Sequence, residues 1–360
     1  MEGSTGLGMV LFILGGLAGA VFALPFKKVK GWAYESYWLL YAVFGLVVFP
    51  MAVALVTVPG LFGVIRAAPR ETLALCFSFG ALWGFGGLSW GLMLRYLGIG
   101  LGQAVGCGLC SALGTLIPPI VAGKAGDLVK DTGAVVVLLG VFMSLAGIVL
   151  VGLAGMSKEG ELSEEEKKKA VAEFDFKKGM LVALFAGVAS AGMNFGLQSG
   201  KALEAAALAG GVPEKWKGMP VLIVVYLGGF LVNSVWCLVQ NARNKTFSDY
   251  TDSRKPVLLN VFFAGGAGVI WAMQFILQKM GEPAMGPLAY IGFSMLLGAI
   301  IFFASLIGIM LGEWKGVGQK TKILLGCGVT VLLLSIVVAT YGSKLAQKSS
   351  TPDAAQSTGN

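Results

Sequence analysis

The chain has no histidine among its 360 residues, and only 13% of them are charged. The first absence removes the side chain that most often shuttles protons near neutrality and most often ligates metals. The second excludes an ordinary soluble domain, which carries about twice that share of charge. Cysteine is scarce: Cys76, Cys107, Cys110, Cys237 and Cys327 all lie in apolar runs. Cys107 and Cys110 have a C-x-x-C spacing, but no second pair or histidine completes a metal set, and a thiolate in an apolar setting is costly. They read as small packing residues, and no metal site is expected. A serine hydrolase without histidine would need another base, and the sequence offers none, so an enzyme is not indicated.

What the chain has is apolar length. Apolar residues make up 56% of it, and the mean hydropathy is +0.80. Crossing ~30 Å of hydrocarbon takes about 20 apolar residues. Ten such windows occur, near 6–25, 36–57, 72–94, 99–121, 134–155, 178–199, 219–240, 257–278, 285–311 and 322–343. The class is therefore an all-α integral membrane protein. Only Glu2 precedes the first window and "FKKVK" follows it, the order of an uncleaved span whose C-terminal end lies inside. The +8 net charge sits in the connections, and well over half of the 27 Lys and Arg residues fall in every second one, beginning with the first. This bias places both termini outside and the connection at 157–177 in the cytoplasm. It is a topology signal, not a nucleic-acid footprint.

The connection "KEGELSEEEKKKAVAEFDFKK" divides the chain in two. Residues 1–156 form a first unit and 157–177 a charged linker; 178–344 form a second unit and 345–360 a polar tail expected to be disordered. Ser163 with Glu166 has capping-box spacing, so a short surface helix is expected in the linker. The halves resemble each other: "LLGVFMSLAGIVLV" at 138–151 matches "LLGCGVTVLLLSIVV" at 324–338, and "GLAGAVF" at 16–22 resembles "GVASAGM" at 187–193. A five-span unit used twice must enter the bilayer from opposite sides. Inverted repeats of that kind belong to transporters, with the substrate near the midplane where the halves meet.

Polar groups on matching spans mark candidate positions. In "SAGMNFGLQSGKALEAA", Ser190, Asn194, Gln198, Lys201 and Glu204 follow one another at four- and three-residue steps, within about a third of a helix circumference. Amides facing lipid would leave hydrogen bonds unmade, so the line reads as a cavity wall; helix-to-helix bonding is the alternative. Lys201 and Glu204 stand near the expected external end, as an interfacial ion pair or as a carboxylate whose proton affinity depends on its neighbour. Glu35, Glu282 and Glu313 fall at span ends, which leaves Glu204, then Glu35, as the candidates for carrying a proton. Trp271, Gln274 and Gln278 share a face of the eighth span, and its repeat partner carries Trp83 and Trp90. Indoles offer a flat apolar face plus a donor, and neutral amides both donate and accept. That set suits a neutral polyhydroxylated molecule such as a sugar. "GFGG" and "GIGLGQAVGCG" follow no strand, and read as close helix packing rather than nucleotide loops.

The segments "PFKKVKGWAYESYW" at 25–38, "LWGFGGLSWGLMLRYLG" at 82–98, "SAGMNFGLQSGKALEAAA" at 190–207, "WAMQF" at 271–275 and "GEW" at 312–314 resemble those of bacterial L-rhamnose–proton symporters, a branch of the drug/metabolite transporter superfamily. The resemblance implies ten helices as two inverted five-helix repeats. It also implies inward carriage of a 6-deoxyhexose across the inner membrane, driven by the proton gradient with no cofactor. Asn194, Gln198, Gln274, Trp271, Trp83, Trp90 and Lys201 are the candidates for the sugar, and Glu204 and Glu35 for the proton. Met193, Phe195 or Phe275 would supply an apolar subpocket for the methyl group. The expected partners are the sugar, protons and the bilayer, and the expected functional unit is a monomer. The rival reading on the same fold is an exporter or exchanger of metabolites, amino acids or drugs. A membrane sensor would have no reason to align amides and indoles on matching helices.

Overall fold

A computed structural model describes residues 5–350 other than 122, 124–125, 127–128, 164, 167–170, 172 and 286–291. Among the described residues every regular element is a helix, as hydrocarbon demands: with no water available, a spanning segment must satisfy its own backbone. The helices are α1 (Thr5–Val21), α2 (Tyr34–Ala42), α3 (Phe49–Thr57), α4 (Leu61–Ala67), α5 (Arg70–Leu97), α6 (Ile99–Val121) and α7 (Thr132–Glu161). The second half supplies α8 (Phe176–Ser199), α9 (Lys201–Ala209), α10 (Met219–Asn244), α11 (Val257–Met285), α12 (Gly292–Met310) and α13 (Gln319–Ser350).

Among the described residues, eight stretches are long and apolar enough to cross a bilayer. They are Gly6–Lys28, Tyr34–Thr57, Glu214–Asn244, Phe176–Ala209, most of α13, and the whole of α5, α7 and α11. Two shorter apolar segments, Ile99–Leu113 and Met295–Met310, lie on α6 and α12. α13 runs on to Ser350, into the stretch expected to be a tail, while 351–360 lie outside the described residues. In the linker, Ser163 and Glu166 exchange capping-box hydrogen bonds, with Ser163 Oγ donating to Glu166 Oε2 at 2.8 Å.

Small residues let the helices touch backbone to backbone. A Cβ on Gly80 would strike the Val225 carbonyl, and one on Gly228 would strike that of Phe77, so α5 and α10 cross in direct main-chain contact. Gly45 and Gly268 do the same for α2 and α11. Gly45 sits in a π-helical turn, Val43–Val48, that joins α2 to α3. Pro50 follows directly and cannot donate to the preceding turn; the wider turn accommodates the missing bond. α7 pairs with α13, α5 with α8 and α10, α1 with α11 and α12, and α6 with α7, α8 and α12.

One end of the bundle is tied by polar groups between the halves. Asn260 on α11 accepts from Lys30 N at 3.0 Å and donates to Lys30 O at 2.8 Å. Asp249, in the turn Phe247–Tyr250, is buried; it accepts from Ala33 N at 2.8 Å and Ser36 Oγ at 2.7 Å, and pairs with Lys255. Burial works against its charge, but the Lys255 ammonium and these donors win and hold its carboxyl below the usual range. Glu35 accepts from Asn244 Nδ2 and Thr246 Oγ1, both at 2.9 Å.

Two outcomes follow. Gly80→Val forces α5 and α10 apart and is expected to destabilise the protein by about 1–3 kcal/mol. Gly266→Ala, with nothing within 4 Å of its Cβ, should be neutral when both are compared by denaturant unfolding in mixed micelles. A carboxyl depressed in the folded state stabilises fully above its unfolded value of about 3.9, and that contribution vanishes as pH falls through the lower folded value. Asp249→Asn should therefore lower the unfolding midpoint at pH 7 and reduce the acid-side fall in stability.

Candidate substrate-binding site

α11 fixes the depth of the site. Trp271 lies 11 residues beyond Asn260, about 16 Å along the axis, near the helix midpoint. There it stacks on Trp83 of α5, with ring centroids 5.2 Å apart and planes 18° from parallel. Gly229 makes the stack possible, because a Cβ there would enter the Trp83 ring. The two indoles form one wall of a central cavity whose empty space, open solvent included, is about 650 Å³. Gln274 and Phe275 extend that wall. Phe22, Trp38 and Tyr41 close one side, and Phe293, Leu297 and Ile300 of α12 close another. Among the described residues no charged side chain lines the cavity.

Its polar groups are the amides of Gln103 and Gln274, the hydroxyls of Ser190 and Tyr41, the indole N–H groups and two thiols. Gln103 of α6 donates to the Gly19 carbonyl at 2.9 Å and accepts from Trp90 Nε1 at 3.0 Å, clamping α1, α5 and α6 together. Trp38 Nε1 donates to Asn233 at 2.8 Å, and Asn233 in turn donates to the Gly229 carbonyl at 2.8 Å. Ser190 Oγ of α8 is different. It is buried on the cavity wall with no hydrogen-bond partner among the described residues. Such a group is paired in most proteins, and here a ligand hydroxyl would meet it.

The expected residues divide. Trp83, Trp90, Trp271 and Gln274 line the cavity, as do Ser190, Met193 and Phe275. Asn194 is half-buried and outside the lining; Gln198 and Lys201 are exposed. Phe195 packs on Phe79 at 5.7 Å instead. On a helix of 3.6 residues per turn, each four-residue step gains about 40°, so a line begun at Ser190 drifts off the cavity face by Gln198. The helix then breaks at Gly200, between α8 and α9. Other lining residues were not foreseen. Trp38 and Tyr41 share a face of α2 at i and i+3, Phe22 follows α1, and Gln103 is a solitary amide in a glycine-rich helix. Cys107 and Cys110 are free, buried thiols on the cavity wall.

Charges sit at the two ends. About 28 Å along α11 from Asn260, the buried Lys279 ammonium binds Glu204 Oε1 at 3.0 Å and Glu282 Oε2 at 2.9 Å. The expected pairing of Lys201 with Glu204 is thus replaced by one across the chain, from α9 to α11. Burial of acids at the other end is also greater than span-end positions suggested. Glu35, Asp249 and Glu313 are all under a tenth exposed. Glu313 Oε1 and Oε2 accept from the amides of Ile99 and Gly100 at 2.9 and 3.0 Å, neutralising the N-terminus of α6. Gly98, at φ +84°, makes the tight joint between α5 and α6 that this contact requires.

A bundle of membrane-length helices around a cavity of stacked indoles and amides, with no charged side chain among its described lining residues, defines a multi-pass membrane protein. The chain belongs to the L-rhamnose-proton symport protein (RhaT) family, whose profile matches residues 1–344. It is 32% identical over 343 residues to the L-rhamnose-proton symporter of Cronobacter sakazakii, covering 94% of this chain and 98% of that protein. It is 33% identical over 337 residues to that of Pectobacterium atrosepticum (92% and 96%). The figure is 30% over 343 residues for that of Escherichia coli (94% and 98%). No solved structure matches the chain.

Lys279→Met leaves Glu204 and Glu282 facing each other without a cation. It should destabilise the protein by about 3 kcal/mol, read as a fall in the thermal midpoint in detergent. Adding Glu204→Gln and Glu282→Gln to it should restore much of the loss.

Proposed function

We propose that this protein carries L-rhamnose, or a close 6-deoxyhexose, inward across the bacterial inner membrane together with protons, by alternating access. The observation that carries this reading is the central cavity in a chain of this family. It presents a stacked Trp83–Trp271 pair for the apolar face of a pyranose, Gln274 for its hydroxyls and an unpartnered Ser190 hydroxyl. The absence of charge among its described lining residues favours a neutral sugar over the anions or cations of an exporter. Met193 and Phe275 stand where a methyl group could replace a hydroxymethyl. Trp90 lines the site with its N–H engaged by Gln103. Asn194 and Gln198 would meet the sugar only if α8 turns during the cycle, and Lys201 only if α9 turns with it.

Ten spans in two inverted five-helix repeats, the drug/metabolite transporter arrangement, fit the packing. α1 lies against α11 and α12 as α8 lies against α5 and α6, while α7–α13 and α6–α12 pair across the halves. That is the exchange a pseudo-two-fold axis in the membrane plane produces. The connections bearing the excess of Lys and Arg gather at the end where Asn260, Asp249 and Glu313 lie, which we assign to the cytoplasm, with both termini periplasmic. The opposite end is then the external side, closed by Glu204–Lys279–Glu282. A carboxylate that loses an ammonium neighbour binds a proton more readily. Opening that end withdraws Lys279 from Glu204, and this makes Glu204 our candidate for the coupled proton. Glu35, held by Asn244 and Thr246 at the cytoplasmic end, is the second candidate. We take the monomer as the functional unit and the proton gradient as the driving force, without a cofactor.

Purified protein in liposomes containing a pH-sensitive dye tests this. External L-rhamnose should acidify the interior, D-glucose should not, and Trp271→Ala or Gln274→Ala should cut the initial rate at least tenfold. Glu204→Gln should abolish acidification and Glu35→Gln should spare it. Acidification that survives Glu204→Gln would move the coupling site elsewhere, and sugar binding without acidification would exclude proton coupling.

A further inference from the structure

A second recess, with about 1400 Å³ of empty space, opens at the end we assign to the cytoplasm and shares one wall, Trp38, with the central cavity. Its sides are largely aromatic, from Phe26, Trp32, Tyr34 and Tyr37. Its charges are matched: Arg95 pairs with Glu173 at 2.6 Å and lies 5.3 Å from the Tyr34 ring centre, while Glu313 is held by the α6 amides and Lys27 is exposed. A recess with balanced charge suits a neutral ligand.

The rings of the two cavities form an unbroken lane. Trp83 stacks on Trp271, Trp271 meets Tyr41 at 6.1 Å, and Tyr41 meets Trp38 at 4.5 Å. Trp38 then stacks on Tyr34 at 5.2 Å with planes 20° apart, and Tyr34 meets Tyr37 at 5.4 Å. Apolar packing alone would be served by aliphatic side chains. A lane of rings edged with phenol hydroxyls and indole N–H groups is instead matched to a molecule having an apolar C–H face and a polar rim. A second observation is independent of the lane. Trp32, more than nine-tenths buried in the wall of the recess, has an Nε1 donor with no hydrogen-bond partner among the described residues. An indole N–H left unpaired in such a place marks where a ligand oxygen would complete it.

We infer that this vestibule is a second sugar-binding site, reached from the central cavity along the aromatic lane past Trp38, and that Trp32 Nε1 hydrogen-bonds a hydroxyl of the departing sugar. The inference rests on the sugar reading of the central cavity. Its consequence is that a released sugar pauses at the cytoplasmic mouth, so one chain holds two sugars at saturation.

Equilibrium binding of radiolabelled L-rhamnose to the full chain in nanodiscs tests it. Wild type should bind two sugars per chain. Trp32→Phe keeps the ring and removes the donor; it should weaken one of the two phases by roughly tenfold and leave the other unchanged. Tyr37→Phe, a milder variant, should weaken the same phase. Gln274→Ala should remove the other phase. One sugar per chain in wild type, lost in Gln274→Ala and indifferent to Trp32→Phe and Tyr37→Phe, would overturn the vestibule site and keep the central one. No binding by wild type would overturn both.

Discussion

Hydrocarbon offers no hydrogen bonds, and nearly every feature of this protein follows from having to work inside it. Polar side chains within the bundle are accordingly placed to serve two or three elements at once. Gln103 holds α1, α5 and α6, and Asn233 of α10 ties in α2 through Trp38 and α5 through the Gly84 carbonyl. With lipid as apolar as leucine, helix association depends on close van der Waals approach, and the glycine pairs supply it. Against a background so fully paired, the few polar atoms left alone carry information. Ser190 Oγ and Trp32 Nε1 are two of them, and each lines a recess.

The two ends of the bundle solve the problem of charge in opposite ways. At one, a buried ammonium is shared by two carboxylates on different helices, a compact seal that excludes water and depends on all three partners. At the other, Glu313 and Glu35 are buried against backbone amides and neutral side chains while Asp249 pairs with Lys255, and the aromatic recess lies open near Glu313. The two ends of the bundle are therefore unlike in how they hold charge.

The helices were legible because apolar runs of bilayer length are a strong signal: eight of the ten expected windows fall on helical stretches long enough to span, and those at 99–121 and 285–311 meet shorter apolar helices among the described residues. The indoles Trp83 and Trp271 and the amide Gln274 were legible for the same reason, since a polar or aromatic group at mid-depth stands out from its neighbours. Trp38 and Tyr41 were not, because aromatic residues near a span end look like ordinary interfacial anchors. Gln103 was hidden by the glycines around it, which pointed to packing. The line from Ser190 to Glu204 was overextended: its spacing holds along one face only for about two turns, and a break at Gly200 cannot be read from spacing. The pairing of Glu204 with Lys279, 75 residues away in sequence, is a tertiary fact with no local trace.

The Glu313 contact has a mechanical meaning. Its carboxylate, in the turn that follows α12, grips the first two amides of α6, right at the Gly98 joint. A helix held by its tip can swing about that tip but cannot slide along its neighbour without breaking two charge-assisted bonds at once. The joint therefore has the form of an axle: a swing of α6 about the Glu313 contact would leave that end fixed and carry the largest displacements to the helix's far end.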